Sequence, residues 1–184
     1  MLWIILIIVV LLILFIISAY NSLVTLRQRV KNAFGQMDVQ LQRRFDLIPN
    51  LVETVKGYMT HESDTLAKVT ELRTAWAGAK TVDEKAKLDN ELSNTLKTIM
   101  AVAEAYPDLK ANQNFASLQN ELTETEDKIS YSRQFYNDTV TRYNTKLELF
   151  PSNIIAGMFH FTAESLFEVD SAEARKNVKV DFNK

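Results

Sequence analysis

The residues best equipped for chemistry here are two histidines, a cluster of arginines and carboxylates, and a repeated Tyr-Asn pair. The histidines are His61 and His160. A di-iron site in a helical bundle needs paired Glu-x-x-His motifs and two further glutamates. Position 58 is Tyr and position 157 is Gly, so neither histidine has the required Glu. His61 and Glu62 are adjacent, and on a helix they would point about 100° apart. No zincin helix motif, phosphate-binding glycine loop or serine nucleophile elbow occurs. With no Cys, the chain cannot hold a disulfide framework, a Cys-based zinc site, a thiol nucleophile or a lipoprotein anchor. No catalytic, cofactor or metal residue is assigned, no cofactor is expected, and the protein is not expected to be an enzyme.

The richest polar cluster is Arg43, Arg44, Asp46, Asn50 and Glu53. Further along, Glu62 interrupts an apolar stripe, and Arg133 and Asn137 flank another. These suggest a buried network of Arg44, Glu62, Glu121, Arg133 and Asn137, with Arg44 or Arg133 meeting Glu62 or Glu121. Its favoured role is to fix helix register, because buried ion pairs select arrangement more reliably than they add stability. Tyr136-Asn137 and Tyr143-Asn144 repeat at an offset of seven residues, which puts both pairs on one helix face. Core tyrosines with hydroxyls at the bundle edge are the favoured reading, and a recognition stripe for another helix is the sharper one. No basic groove accompanies the rings, so nucleic acid is not expected.

The elements that must position these residues begin with an anchor. The chain has 184 residues, with 21 Lys+Arg against 23 Asp+Glu and a net charge of −2. No charged side chain precedes Arg27. Residues 2–17 read LWIILIIVVLLILFII, long and apolar enough to cross a bilayer as a helix. Trp3 and Tyr20 stand near its ends, where amphipathic rings prefer the interface. A cleaved signal peptide would need a basic start, a shorter apolar core and a small-residue cleavage site, which are missing. The bilayer contact is therefore assigned to residues 2–22. Arg27, Arg29 and Lys31 follow it, so positive-inside bias puts the N-terminus out and the domain in the cytoplasm.

The rest reads as all-α, with only four Gly and three Pro. The expected architecture is an N-terminal transmembrane helix continuing into an antiparallel bundle of four long helices. Residues 1–26 form the anchor, 27–150 the bundle and 151–184 a C-terminal apolar tail. Val30, Phe34, Met37, Leu41 and Phe45 continue the first helix at three- and four-residue steps. A second helix is expected from near Pro49 to about Ala77, a third from Val82 to Tyr106 and a fourth from Ala111 to Leu149. Pro49 could instead kink one very long helix, but the Asp46–Pro49 cluster favours a break.

In the tail, Ile154, Ile155, Met158, Phe159, Phe161 and Phe167 are too apolar to stay in water as a patch. They either fold back over the bundle or dock on a neighbouring subunit or the bilayer. With Tyr136 and Tyr143 they make the expected interaction surface. Deleting Ser152–Lys184 is expected to lower assembly size without melting the helices. Asn177–Lys184, with alternating Val178, Val180 and Phe182, reads as a short extended end.

Two segments carry a resemblance. LQRRFDLIPNLVETVKGYMTHE (Leu41 to Glu62) and SRQFYNDTVTRYNTKLELFPSNIIAGMFHF (Ser132 to Phe161) resemble the two hallmarks of the LemA family. The single N-terminal membrane helix agrees. The resemblance implies a membrane-anchored bundle of four long helices with a small external N-terminus, and it carries over no catalytic residue. The expected function is a self-assembling, homo-oligomeric scaffold that organises or remodels the bacterial cytoplasmic (inner) membrane, with other membrane proteins as further partners. The alternative is an accessory or sensor subunit docking on a membrane protease or signalling enzyme. A hydrolase is disfavoured.

Overall fold

A computed structural model describes residues 1–59 and 61–168. The expected extended end at Asn177–Lys184 lies outside the described residues. Among the described residues seven helices follow in order: α1 (Leu2–Asp46), α2 (Ile48–Lys56), α3 (Ser63–Gly78), α4 (Val82–Ala103), α5 (Pro107–Lys110), α6 (Gln113–Glu148) and α7 (Ser152–Met158). No strand occurs among the described residues.

Helix α1 has 45 residues, about 67 Å at 1.5 Å per residue. Its first half is bare: Leu2 to Phe15 are all exposed. Burial begins at Ala19 and then takes Leu23, Val30, Ala33, Met37, Leu41, Arg44 and Phe45. These recur at the three- and four-residue steps of a helix face against a core. One helix therefore carries the stretch long and apolar enough to cross a membrane and a full bundle stripe.

The first correction concerns Pro49. It does not reverse the chain. Leu47 between α1 and α2 keeps right-handed helical angles, φ −76° and ψ −19°. Pro49 has no N–H for the Phe45 carbonyl, which interrupts the helix but leaves its direction intact. The antiparallel partner shows this. Phe34 meets Tyr136 with rings tilted at 59°, Arg44 pairs with Glu126, and Tyr58 accepts a hydrogen bond from Asn112. The steps along α1–α2 and along α6 are equal across Leu47, so the pairing keeps one register.

The reversal comes later, between α2 and α3, where a single helix from Pro49 to Ala77 was expected. Gly57 ends α2, and Glu62 precedes α3 with φ −101°. Gly gives up the most backbone entropy in a helix, so this is the weakest place to continue one. The chain then runs back along α3, which brings Trp76 onto Phe45 with rings stacked 4.3 Å apart at 17°. The Trp76 indole N–H donates to Gln42 Oε1 at 2.9 Å.

Helix α4 starts from a capping box in which Thr81 and Glu84 satisfy each other's backbone N–H groups. It climbs parallel to α1: Lys85 pairs with Asp38, and Asp89 with Arg44. Helix α6 starts at Asn112, whose side chain caps the N–H groups of Asn114 and Phe115. It returns the length of the bundle. The order is up along α1–α2, down α3, up α4 and down α6, around one core. Each helix is apolar on one face, so the four faces close on each other.

Candidate functional site

Among the described residues, three places bear on the groups singled out in the sequence. The first is Arg44, buried at 4% exposure in mid-bundle. Its helix phase puts it on the inward side beside Leu41 and Phe45. Nη1 donates to Asp89 Oδ1 at 2.9 Å and Ser93 Oγ at 3.0 Å. Glu126 Oε2 lies 2.8 Å from the same nitrogen. One guanidinium thereby joins α1, α4 and α6. Burial pushes the Asp89 carboxyl above the usual aspartate range; Arg44 and Arg133 pull the other way without cancelling it, and Glu126 adds to the rise. The cluster holds a fixed cation, two acids and a hydroxyl that accepts from Arg44. One cation held between acids on two other helices suits a joint between helices.

The partners therefore differ from those expected. Glu62 sits at the α2–α3 corner and accepts from the Tyr106 hydroxyl at 3.0 Å. Glu121 is exposed on α6. Neither is within ion-pair reach of Arg44 or Arg133, because the α1–α6 register sets Glu126 opposite Arg44. Arg133 is half-buried and acts on Asp89 through its charge alone. Asp89 was missed because an acid beside Leu88 reads as surface. Yet it lies on the three-residue line Ala86, Asp89, Leu92, which is buried throughout, and that line is visible in the sequence.

The second place is the Tyr-Asn face of α6. Tyr136 and Tyr143 are buried, at 1% and 0% exposure. Residues 161–168 run without helix along α6 and over α4. The Tyr143 hydroxyl donates to the Thr162 carbonyl at 3.0 Å and the Tyr136 hydroxyl to that of Ser165 at 2.8 Å. Asn144 donates to the Glu164 carbonyl at 2.9 Å and accepts from the Glu164 N–H at 3.0 Å. Asn137 does the same to Phe167, at 3.1 and 2.8 Å. The Phe167 side chain enters the core at 1% exposure.

The repeat has a geometric reason. Seven helical residues advance about 10.5 Å. Three extended residues advance about 10 Å. The two Tyr-Asn pairs therefore meet the strap three residues apart, at Thr162 and Glu164 and again at Ser165 and Phe167. Burial, Glu164 and Asp83 together push the Tyr136 hydroxyl up to about 12, so it stays a donor. The Tyr143 hydroxyl is raised by burial first. The face considered as a recognition stripe for another helix is thus filled by the chain's own extended segment.

The third place is where the exposed part of α1 ends. Ile155 and Ala156 of α7 pack on Ala19 and Leu23. The Tyr20 ring lies 4.7 Å from Phe159 and 5.7 Å from Phe161. The Arg27 guanidinium sits 4.9 Å over the Phe161 ring. Ile154, Met158 and Phe159 remain exposed, with Leu149 and Phe150 beside them. Of the six tail residues expected to make contacts, Ile155 and Phe167 are therefore internal, Phe161 is half-buried and three face outward.

The two histidines stand apart, His61 at the α2–α3 corner and His160 after α7. Among the described residues no three of His, Asp and Glu gather as a metal site would need.

Two magnetosome proteins of Paramagnetospirillum magneticum, MamQ 2 and MamQ 1, are each 25% identical over 179 residues, covering 83% of this chain and 66% of their own. The chain thus spans just under two thirds of their length. Protein LemA of Metamycoplasma hominis is 24% identical over 155 residues, covering 83% of this chain and 70% of its own. The LemA family model matches residues 33–182, which takes in the long bundle helices, the Arg44 joint and both Tyr-Asn pairs, and on that match the chain belongs to the LemA family.

Proposed function

We propose that this chain is a non-enzymatic scaffold of the bacterial cytoplasmic membrane that assembles with copies of itself. The observation that carries the reading is α1, in which one helix is both the apolar stretch and the central strut of the bundle core. A bundle built on such a strut cannot rotate freely about a linker. Its attitude to the bilayer is set by the helix itself.

Helix α7 supports a second lipid contact. Its exposed Ile154, Met158 and Phe159 lie level with Tyr20, where the bare run of α1 gives way to buried positions. An apolar helix face at that depth suits the headgroup boundary. The basic residues Arg27, Arg29 and Lys31 just beyond favour a cytoplasmic domain. That two relatives are magnetosome proteins favours a role within a larger assembly.

Self-contact would use the outward side of α1 and α6. Met37, Leu41 and Phe45 point inward, which leaves Gln36, Val39 and Gln40 beside Tyr131 around an open hollow of about 630 Å³. Val39 and Tyr131 are both exposed apolar side chains there. The test is full-length protein in vesicles, with copy number read by single-particle fluorescence. Several copies per assembly are expected, fewer in Val39→Arg. Monomers at every protein-to-lipid ratio would sink the reading. The alternative, an accessory to a membrane enzyme, would instead give crosslinks in native membranes to a different protein.

A further inference from the structure

We propose that residues 161–168 form an exchangeable strap, and that the groove it fills on α4 and α6 takes the same segment from a neighbouring copy. The inference rests on the self-assembly proposed above and names the contact that would join the copies.

The groove recognises backbone. Tyr136, Asn137, Tyr143 and Asn144 contribute six hydrogen bonds, all to main-chain N–H or C=O groups of the strap. Asn90 of α4 adds a seventh, to the Glu168 carbonyl. Each Asn bonds both the N–H and the C=O of one residue, as a neighbouring β-strand would. Two side chains are gripped as well: Phe167 enters the core, and Phe161 rests against Tyr20 and Arg27. This is how a receptor holds an extended peptide, and here the peptide is part of the chain.

The outward side of the strap is open. Thr162, Ala163, Ser165, Leu166 and Glu168 are exposed. An open hollow of about 520 Å³ lies between the strap and α4, lined by Asp83, Lys87 and Asn90 among others. The strap leaves α7 at His160, whose φ of +54° closes the helix, with the His160 N–H donating to the Gly157 carbonyl and the Phe161 N–H to that of Ala156. That turn is where an exchanged segment would part from its own α7.

A second copy is the occupant the chemistry favours. It carries an identical segment, so exchange would restore every hydrogen bond and the Phe167 contact without new surface. Anchoring in one bilayer raises the local concentration of that segment. Opening the strap leaves four buried or half-buried polar side chains unpaired, a cost that exchange removes.

The absence of native cysteine makes the test clean. Full-length N90C/E168C is treated as a detergent-solubilised monomer with a short bis-maleimide, which ties strap to groove within one chain. Tied and untied protein are then reconstituted in vesicles. Separately, tagged N90C and E168C single variants are mixed in vesicles and crosslinked. Exchange predicts an N90C–E168C heterodimer in the mixture and a several-fold drop in copy number for the tied protein. If tied and untied protein assemble equally and no such heterodimer forms, exchange is overturned while self-assembly stands. If the untied protein stays monomeric, both fail. The tie within one chain must form in the double variant, and failure to form it overturns the placement of the strap itself.

Discussion

At the scale of the residue, Arg44 and the two asparagines separate structural chemistry from surface decoration. Removing one partner from a buried ion cluster leaves the other charges unpaired, which typically costs about 3–5 kcal/mol. Arg44→Ala should lose stability on that order, measured by urea unfolding, while Glu121→Ala should stay within about 0.5 kcal/mol as an ordinary surface change. A small loss in Arg44→Ala would mean that Asp89 and Glu126 are wet. Asp89 also sets a pH dependence. Folding raises its affinity for a proton, because burial outweighs Arg44. Its contribution to stability is therefore fullest below the ordinary aspartate range and is lost as pH rises through the raised value. Asp89→Asn should flatten that part of the stability–pH curve; an unchanged slope would contradict the raised value. Asn137→Ala and Asn144→Ala each delete two hydrogen bonds to the strap. Each should speed amide exchange along residues 162–168, and unaltered exchange would count against the lock.

At the scale of the element, helix ends are set by local chemistry and helix directions by the partner. The Thr81–Glu84 capping box fixes the start of α4, and Thr81→Ala should cost about 1 kcal/mol in thermal unfolding. The folded Glu84 carboxyl is held below its ordinary range by the Thr81 and Lys80 backbone N–H groups. What it contributes is present above the ordinary glutamate value and fades as pH falls through the lowered one. Pro49 teaches the opposite lesson. A proline breaks the hydrogen-bond ladder, but α6 keeps its register across the gap and holds α1 and α2 in line. Pro49→Ala should leave the fold and the domain's helix content unchanged by circular dichroism. A large change would mean that the interruption is needed. The true corner is announced by Gly57 and by the polar gap at Glu62 in the apolar stripe.

At the scale of the whole molecule, the tail belongs to the fold. Removing residues from Ser152 onward takes Phe167 out of the core and strips Tyr136, Asn137, Tyr143 and Asn144 of their partners. Such a truncation should lower the melting temperature, where the sequence reading expects only the assembly size to fall; an unshifted melting curve would show the strap to be ornamental. The outward face of α7 is separable from this. Ile154→Asp with Met158→Asp touches only exposed positions and should reduce quenching of Tyr20-region fluorescence by brominated lipid without unfolding the bundle. Equal quenching would remove α7 from the interface. External protease on intact spheroplasts should spare the domain, and its digestion would reverse the orientation.

The sequence by itself determined the periodic facts. The charge-free run before Arg27, the apolar steps from Val30 to Phe45, the extents of α4 and α6 and the one-faced Tyr-Asn repeat all follow from residue types at helical spacing. Tertiary structure decided what those faces meet. That Arg44 pairs with Asp89 and Glu126, that the chain reverses at Gly57 to Glu62, and that the Tyr-Asn pairs grip an extended strap are all long-range matters. Helix periodicity reports which side of an element is inward, but it holds no record of the register between elements distant in sequence. That register is fixed only when facing side chains pack and pair.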